Sequence, residues 1–480
     1  MWMRRCAVVL GLALLTILIV RAYDAFRAPP LKLWHTFVPH ELDARQIDAA
    51  DWNGWLEAEE AALAAVQREV VNKLPAEDRV RSNRFFADSP MFPAHLTTDW
   101  NRSYVWVPAG KPRGAVVLLH GLTDSPYSLR HIAASYRDRG FVAVGIRLPA
   151  HGTVPGALTA VHWEEWLAAT RLAVRHARGL AGADKPLHIV GYSNGGALAL
   201  KYTLDSLDHA DLARPDQLVL ISPMIGITSM ARFAGALGWP AVFPPFAKAA
   251  WLETLPEYNP FKYNSFPVNA ARQSSQLTRA VEKQIAADAS AGKLLKMPPV
   301  LTFQSVVDST VSTSAVFESL YRYLPNKGHE VVLFDLDGSG TVNVFLRPEF
   351  RNPLPQILPA PPRHYTVTVV TNSGSYHAGG QAAMEARTMR ADQLTTTTAP
   401  VAGEWPRGMY SLSHVALPFP PNDGLYGYRP DEDFGVPLGA IAVRGERATL
   451  LVSADTLMRA SCNPFFEYLA GRIAETIPAD

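Results

Sequence analysis

Residues 187–204 constrain the fold more than any other stretch of the chain. Leu187-His-Ile-Val190 has the continuous apolar character of a strand buried on both faces. It runs directly into Gly191-Tyr-Ser193-Asn-Gly195-Gly196, and a helix-forming run over 197–204 follows. A chain that turns this sharply from strand to helix leaves no room for side chains two positions either side of the apex. Gly191 and Gly195 meet that requirement. The apex, Ser193, is lifted clear of the sheet edge and placed at a helix N-terminus, where unpaired N–H groups favour negative charge. Ser193 is therefore a candidate nucleophile.

The surrounding sequence supplies a sheet for such a turn. Apolar runs at 103–107, 115–119, 141–146, 187–190, 218–221 and 300–304 alternate with segments of helical pattern such as 163–178. Unbroken apolar strands separated by helices predict a mostly parallel sheet covered on both faces, an α/β fold. Two stretches break the rhythm. Residues 224–297 are placed as a cap, rich in aromatics at Trp239, Phe243, Phe246 and Trp251, which are candidates for a substrate pocket. Residues 337–407 form a long, Pro-rich insertion. Either 331–334 or 365–370 could supply the last strand, and the pattern does not choose between them.

The chain starts with Arg4-Arg5 and an uncharged run over 6–20. Residues 1–22 are expected to be a signal anchor with a transmembrane helix, or else a cleaved signal peptide. Positive charge held inside would put the body outside the cytoplasm, periplasmic or extracellular, tethered to the membrane or secreted. Residues 23–100 read as a linker and an N-terminal helical extension, with Trp52, Trp55, Leu63, Val66 and Val70 at helical spacing. The main domain is placed at 101–480. Of the 480 residues, 45 are basic and 44 acidic, a net charge of +1. No field for nucleic acid follows from that balance. The two cysteines, Cys6 and Cys462, imply no internal disulfide in the body. The sequence holds no metal-ligand or cofactor fingerprint, and neither metal nor cofactor is expected.

A serine hydroxyl needs a base, and the base needs an orienting carboxylate. Asp308 follows the 300–304 strand, with Asp335 and Asp337 as rivals after another apolar run. Downstream histidines are His329, His364, His377 and His414, and spacing alone does not single one out. An oxyanion needs two backbone N–H donors. Asn194 follows the nucleophile, and Leu122 lies in the loop opened by His120-Gly121. His120 itself reads as a structural loop residue.

Four segments together resemble bacterial carboxylesterases and monoacylglycerol-lipase-like α/β-hydrolases. They are Leu118-Leu-His-Gly-Leu-Thr-Asp-Ser-Pro-Tyr-Ser-Leu-Arg130, Arg147-Leu-Pro-Ala-His-Gly-Thr153, Gly191-Tyr-Ser-Asn-Gly-Gly196 and Ser411-Leu-Ser-His414. The likeness spans about residues 100–480, with gaps. It implies an α/β-hydrolase fold with an eight-stranded, mostly parallel sheet, Ser193 as nucleophile, Asp308 as acid, His414 as base, and Leu122 with Asn194 as the oxyanion pair. Two features depart from it. Ala150 stands where a glycine is usual, and Asp308 and His414 are 106 residues apart. The expected activity is hydrolysis of small-molecule or lipid carboxylic esters. A thioesterase, acyltransferase or serine peptidase on the same fold, or a non-catalytic binding protein, are the alternatives. Substrate identity and oligomeric state are not encoded in these patterns.

Overall fold

The computed structural model describes residues 30–226, 244–337, 345–376, 382–406, 409–441 and 452–478, with scattered positions before residue 30. Twelve strands occur among them. In chain order they are β1 Tyr104–Trp106, β2 Gly114–Leu119, β3 Phe141–Ile146, β4 Leu187–Tyr192, β5 Gln217–Ile221, β6 Trp251–Glu253, β7 Phe266–Pro267, β8 Val300–Ser305, β9 Glu330–Phe334, β10 Thr366–Tyr376, β11 Ala382–Met389 and β12 Thr396–Trp405. Ten form one sheet in the order β1-β3-β2-β4-β5-β8-β9-β10-β11-β12. From β3 to β10 every neighbouring pair is parallel. β1 is antiparallel at one edge, and β11 and β12 are antiparallel at the other. This is the α/β-hydrolase fold expected from the sequence. The sheet has ten strands, not eight, because the insertion adds the β11–β12 hairpin. Both runs left open as the last strand belong to the sheet, as adjacent parallel strands β9 and β10.

Strands β2, β3, β4, β5 and β8 are buried along their whole length, which explains their unbroken apolar runs. Helices Trp163–Ala181, Asn194–Asp205 and Val268–Ser290 pack with the larger of the two main apolar clusters. Helices Arg130–Asp138 and Phe466–Ala474 pack with the other.

The expected signal anchor is overturned. Among the described residues no helix is long and apolar enough to cross a membrane. The physical reason is length: fifteen residues make a helix of about 22 Å, against a hydrocarbon core of about 30 Å. Part of the run lies outside the described residues. The membrane tether drawn from it falls with it.

The N-terminal extension is joined to the sheet through buried charge. Helix Trp52–Val66 places Glu59 against the end of β3. Arg147 donates from Nε to Glu59 at 3.0 Å and from Nη1 and Nη2 to Glu41 at 3.0 and 2.9 Å. Glu59 also accepts the Ser103 hydroxyl at 2.8 Å, and the Arg147 guanidinium lies 5.2 Å from the Trp55 ring. A second buried centre holds the C-terminal loops. Asp423 accepts from Arg130 at 2.6 Å, the Tyr127 hydroxyl at 2.8 Å, His131 at 3.0 Å and the N–H groups of Leu425 and Tyr426. Burial alone would raise the Asp423 carboxyl, but Arg130, His131 and these donors hold it far below the ordinary carboxylate range.

Breaking one partner of a buried pair leaves an uncompensated charge, at a cost of about 3–5 kcal/mol. Asp423→Asn is therefore expected to destabilise the fold by about 3 kcal/mol, since Glu432 still reaches Arg130 at 2.8 Å. Glu432→Gln, at the exposed side of the same arginine, should cost less than about 1 kcal/mol. Urea unfolding of the two variants checks the contrast, and equal losses would show that Asp423 is not the buried anchor.

Candidate active site

Strand β4 delivers Ser193 to the start of helix Asn194–Asp205 with φ 53° and ψ −117°. That left-handed backbone is strained for a non-glycine residue and is held by its surroundings. The Ser193 N–H donates to Ile221 O at 2.9 Å, and its carbonyl accepts from Gly196 and Met224. The glycines are required by contact. A Cβ on Gly195 would lie 2.0 Å from Leu119 O, and one on Gly191 would lie 2.4 Å from Gly195 O.

Asp308 follows β8, and His414 arrives from the far end of the insertion. His414 Nδ1 lies 2.8 Å from Asp308 Oδ2. The other carboxylate oxygen accepts from Thr310 N–H at 2.7 Å and Val311 N–H at 2.9 Å, and Gln304 Nε2 donates to Oδ2 at 3.1 Å. Burial pushes the Asp308 carboxyl up, but His414 and the two N–H donors more than offset it and leave it below its ordinary value. An ionised Asp308 takes the proton on Nδ1 of His414, so Nε2 is left as the free acceptor. Ser193 and His414 line the same cavity of about 460 Å³. Among the described residues neither Leu122 N–H nor Asn194 N–H donates to a protein acceptor, and Leu122 lines the cavity beside Ser193.

The rival residues have other tasks. Asp337 accepts from Asn372 Nδ2 at 2.6 Å. Asp335 accepts from the N–H of Leu336. His329 Nδ1 accepts from Val300 N–H, and His364 pairs with Asp392 on the surface. His377 lies outside the described residues. His120 is a bracket: Nδ1 donates to Gly121 O at 2.9 Å, and Nε2 accepts from Leu148 N–H at 3.0 Å.

Of the aromatics placed in a substrate pocket, Trp239 and Phe243 lie outside the described residues, and Phe246 sits in the short helix Pro244–Ala250. Trp251 is buried edge-on against His35 at 4.8 Å and is not among the residues lining the cavity. The wall is more polar than an acyl slot of tryptophans. Lys262, Asn259, Tyr258 and Arg459 contribute to it. No pattern in the sequence marks these residues. Tyr258, Asn259 and Lys262 reach the cavity because Tyr263 N–H donates to Thr123 O at 2.8 Å, seating that segment on the loop of Leu122, and Arg459 reaches it from the segment held by Ser413 and Thr310.

Residues 110–290 match the family described as serine aminopeptidase, S33. A curated relative, an uncharacterised abhydrolase domain-containing protein of Dictyostelium discoideum, is 29% identical over 121 residues, which are 25% of this chain and 12% of that one. The chain thus spans a small part of that relative's length. Among solved structures, one from a study of the metagenome-derived lipolytic enzymes LipS and LipT is 20% identical with a TM-score of 0.39, covering 49% of this chain and 88% of that one. A soluble variant of monoglyceride lipase from Saccharomyces cerevisiae is 14% identical with a TM-score of 0.39, covering 48% and 81%. Strand order and elbow together are those of the α/β-hydrolase fold, and the family match falls on its first part, residues 110–290.

Ala150 adopts φ 67° beside this site, where glycine would be unstrained. Its N–H donates to Glu41 at 2.9 Å, and its carbonyl accepts from Tyr263 at 3.1 Å. The left-handed backbone costs about 1–2 kcal/mol for an L-residue. Replacing it by glycine would lose about 0.8 kcal/mol of methyl burial and about 0.5–1 kcal/mol of chain entropy. The terms nearly cancel, so Ala150→Gly should change stability by less than about 1 kcal/mol. Ala150→Val, branched at Cβ, should cost about 2 kcal/mol or more. Thermal unfolding of both variants tests this, and a large gain with glycine would mean the turn is more strained than its hydrogen bonds imply.

Proposed function

We propose that the protein hydrolyses carboxylic esters through Ser193, His414 and Asp308. The observation that carries this reading is the 2.8 Å His414–Asp308 hydrogen bond, set in the same cavity as a serine on a strained strand-to-helix turn. In this mechanism His414 Nε2 removes the Ser193 proton as Oγ attacks the ester carbonyl. Asp308 keeps the imidazole in the required tautomer and stabilises its charged form. The unpartnered N–H groups of Leu122 and Asn194 receive the oxyanion. The alkoxide leaves with the proton from His414, and water then cleaves the acyl-enzyme with His414 as base again.

The family description raises a second reading, an aminopeptidase. Such an enzyme must seat a substrate ammonium; Lys262 and Arg459 on the cavity wall oppose that, whereas Asp124, Glu253 and Asp455 on the same wall favour it. An alanine p-nitroanilide assayed beside p-nitrophenyl esters separates the two.

Ser193→Ala should abolish p-nitrophenyl butanoate turnover and labelling by a fluorophosphonate, with the fold retained. His414→Ala should lower kcat by about three orders of magnitude or more. His329→Ala and His364→Ala should leave turnover near wild type. Full activity in Ser193→Ala, or a dead His364→Ala beside an active His414→Ala, overturns the assignment.

A further inference from the structure

The catalytic cavity carries two cations, Lys262 and Arg459, that form no ion pair among the described residues. Lys262 sits between Phe261, which stacks on Tyr127 with ring centroids 4.4 Å apart, and Tyr263, whose hydroxyl and N–H are both hydrogen-bonded. The backbone under the lysine is thus fixed to the oxyanion loop. Its ammonium is half-buried and has no hydrogen bond or ion pair among the described residues. Arg459 is fixed from the other side. Its carbonyl accepts from Ser413 Oγ at 2.8 Å, next to His414, and Nη2 donates to Thr310 Oγ1 at 2.8 Å, next to Asp308. One cation is therefore tied to the oxyanion loop and the other to the loops of the base and the acid.

Three carboxylates share the wall. Glu253 and Asp455 stand exposed, Asp124 is buried, and none forms an ion pair with either cation. Burial raises the Asp124 carboxyl to about 6, with Lys262 the largest opposing influence. Burial likewise lowers the Lys262 ammonium, Asp124 opposes this, and Arg459 adds to it. Both cations line the same cavity, so their like charges repel across it. The Lys262 ammonium is half-buried on this wall and keeps donors that no acceptor takes among the described residues. An anion between Lys262 and Arg459 would supply the missing acceptor and relieve the repulsion.

We infer that the substrate carries a negatively charged group besides the scissile ester, a carboxylate or a phosphate, held between Lys262 and Arg459. This rests on the ester-hydrolase reading and narrows it to a substrate class. Lys262 and Arg459 are then specificity-determining residues.

The test compares p-nitrophenyl half-esters of succinate, glutarate and adipate with neutral butanoate, pentanoate and hexanoate esters of matching length. The wild type should favour the charged member of at least one pair in kcat/KM by about tenfold, an effect the size of one charge-assisted hydrogen bond. Lys262→Met and Arg459→Met, which keep an apolar stem, should each erase most of that preference through KM, and Lys262→Arg should restore it. The preference should shrink as salt rises. Free glutarate and inorganic phosphate as competitive inhibitors decide whether carboxylate or phosphate fits better. Turnover of the neutral esters with no charged preference at any length and no inhibition by either anion overturns this inference while leaving the esterase reading intact. A preference unchanged in both methionine variants also overturns it. No turnover of any ester and no fluorophosphonate labelling of Ser193 overturns both.

Discussion

Everything at the site depends on how closely the helix after β4 approaches the sheet. With Gly195 under the Leu119 carbonyl, the helix N-terminus is pressed onto β2 so tightly that a single Cβ would overlap backbone at 2.0 Å. That approach forces Ser193 into φ 53° and leaves the N–H of Asn194 without a partner among the described residues. The strain and the unsatisfied donor are two results of one packing constraint. Each would be a defect elsewhere. Here they set a hydroxyl on the cavity wall at a helix N-terminus. The cost is borne by the most buried part of the molecule, five fully covered parallel strands whose core does not yield.

The parts added to that core are attached by buried charge as well as by apolar packing, since Trp52, Trp55 and Val66 of the extension belong to the larger apolar cluster and Phe419 and Tyr426 of the C-terminal loops pack with Tyr127. Arg147, at the end of β3, takes two carboxylates from the N-terminal extension, Glu41 and Glu59. Arg130, on the helix before β3, takes Asp423 from the C-terminal loops. Both arginines are buried, and burial alone would weaken their charge, but the carboxylates raise them instead. Buried pairs add little net stability over well-packed apolar groups, yet they are unforgiving of a missing partner. They therefore specify position. Glu41 shows the use of this, since it also accepts from Ala150 N–H. The extension thereby holds a turn whose backbone would suit glycine, and the His151-Gly152 segment after it.

The legible features in the sequence were those with a local cause. Strands β2 to β5 and β8 read from their own apolar runs because they are buried on both faces. The elbow read from its glycines because steric exclusion acts over two residues. Asp308 was placed by the strand before it. His414 was not distinguishable by spacing, because its position is set by chain return from a distant hairpin, and resemblance alone pointed to it. Lys262, Arg459 and Gln304 were not legible at all. A single polar residue in a loop carries no period, and what makes it part of a cavity is the packing of neighbours such as Phe261 and Ser413. Trp251 misled in the opposite sense. A buried Trp251 against His35 has the same composition as a substrate pocket, and only contacts separate the two. The N-terminal run shows the same limit, since an uncharged stretch satisfies the pattern of an anchor while being too short for the task.

The long separation of Asp308 and His414 illustrates why contour length is a poor guide to a site. After the Asp308 loop the chain completes β9, leaves at Asp337, builds β10, β11 and β12, and returns. At the point of return Asp337 N–H donates to Tyr410 O at 2.9 Å, with the Asp337 carboxylate held by Asn372 of β10. The two ends of the excursion are stapled four residues before His414. Closing a loop costs only logarithmically in its length once its ends are fixed. The hairpin can therefore be long without moving the histidine, because the staple, and not the chain between, sets where residue 414 begins its approach. β11 and β12 gain their own stability by extending the sheet edge beyond β10. The insertion thus lies in series with the fold and in parallel with the site. That accounts for an intact 2.8 Å His414–Asp308 contact across a sequence separation of 106.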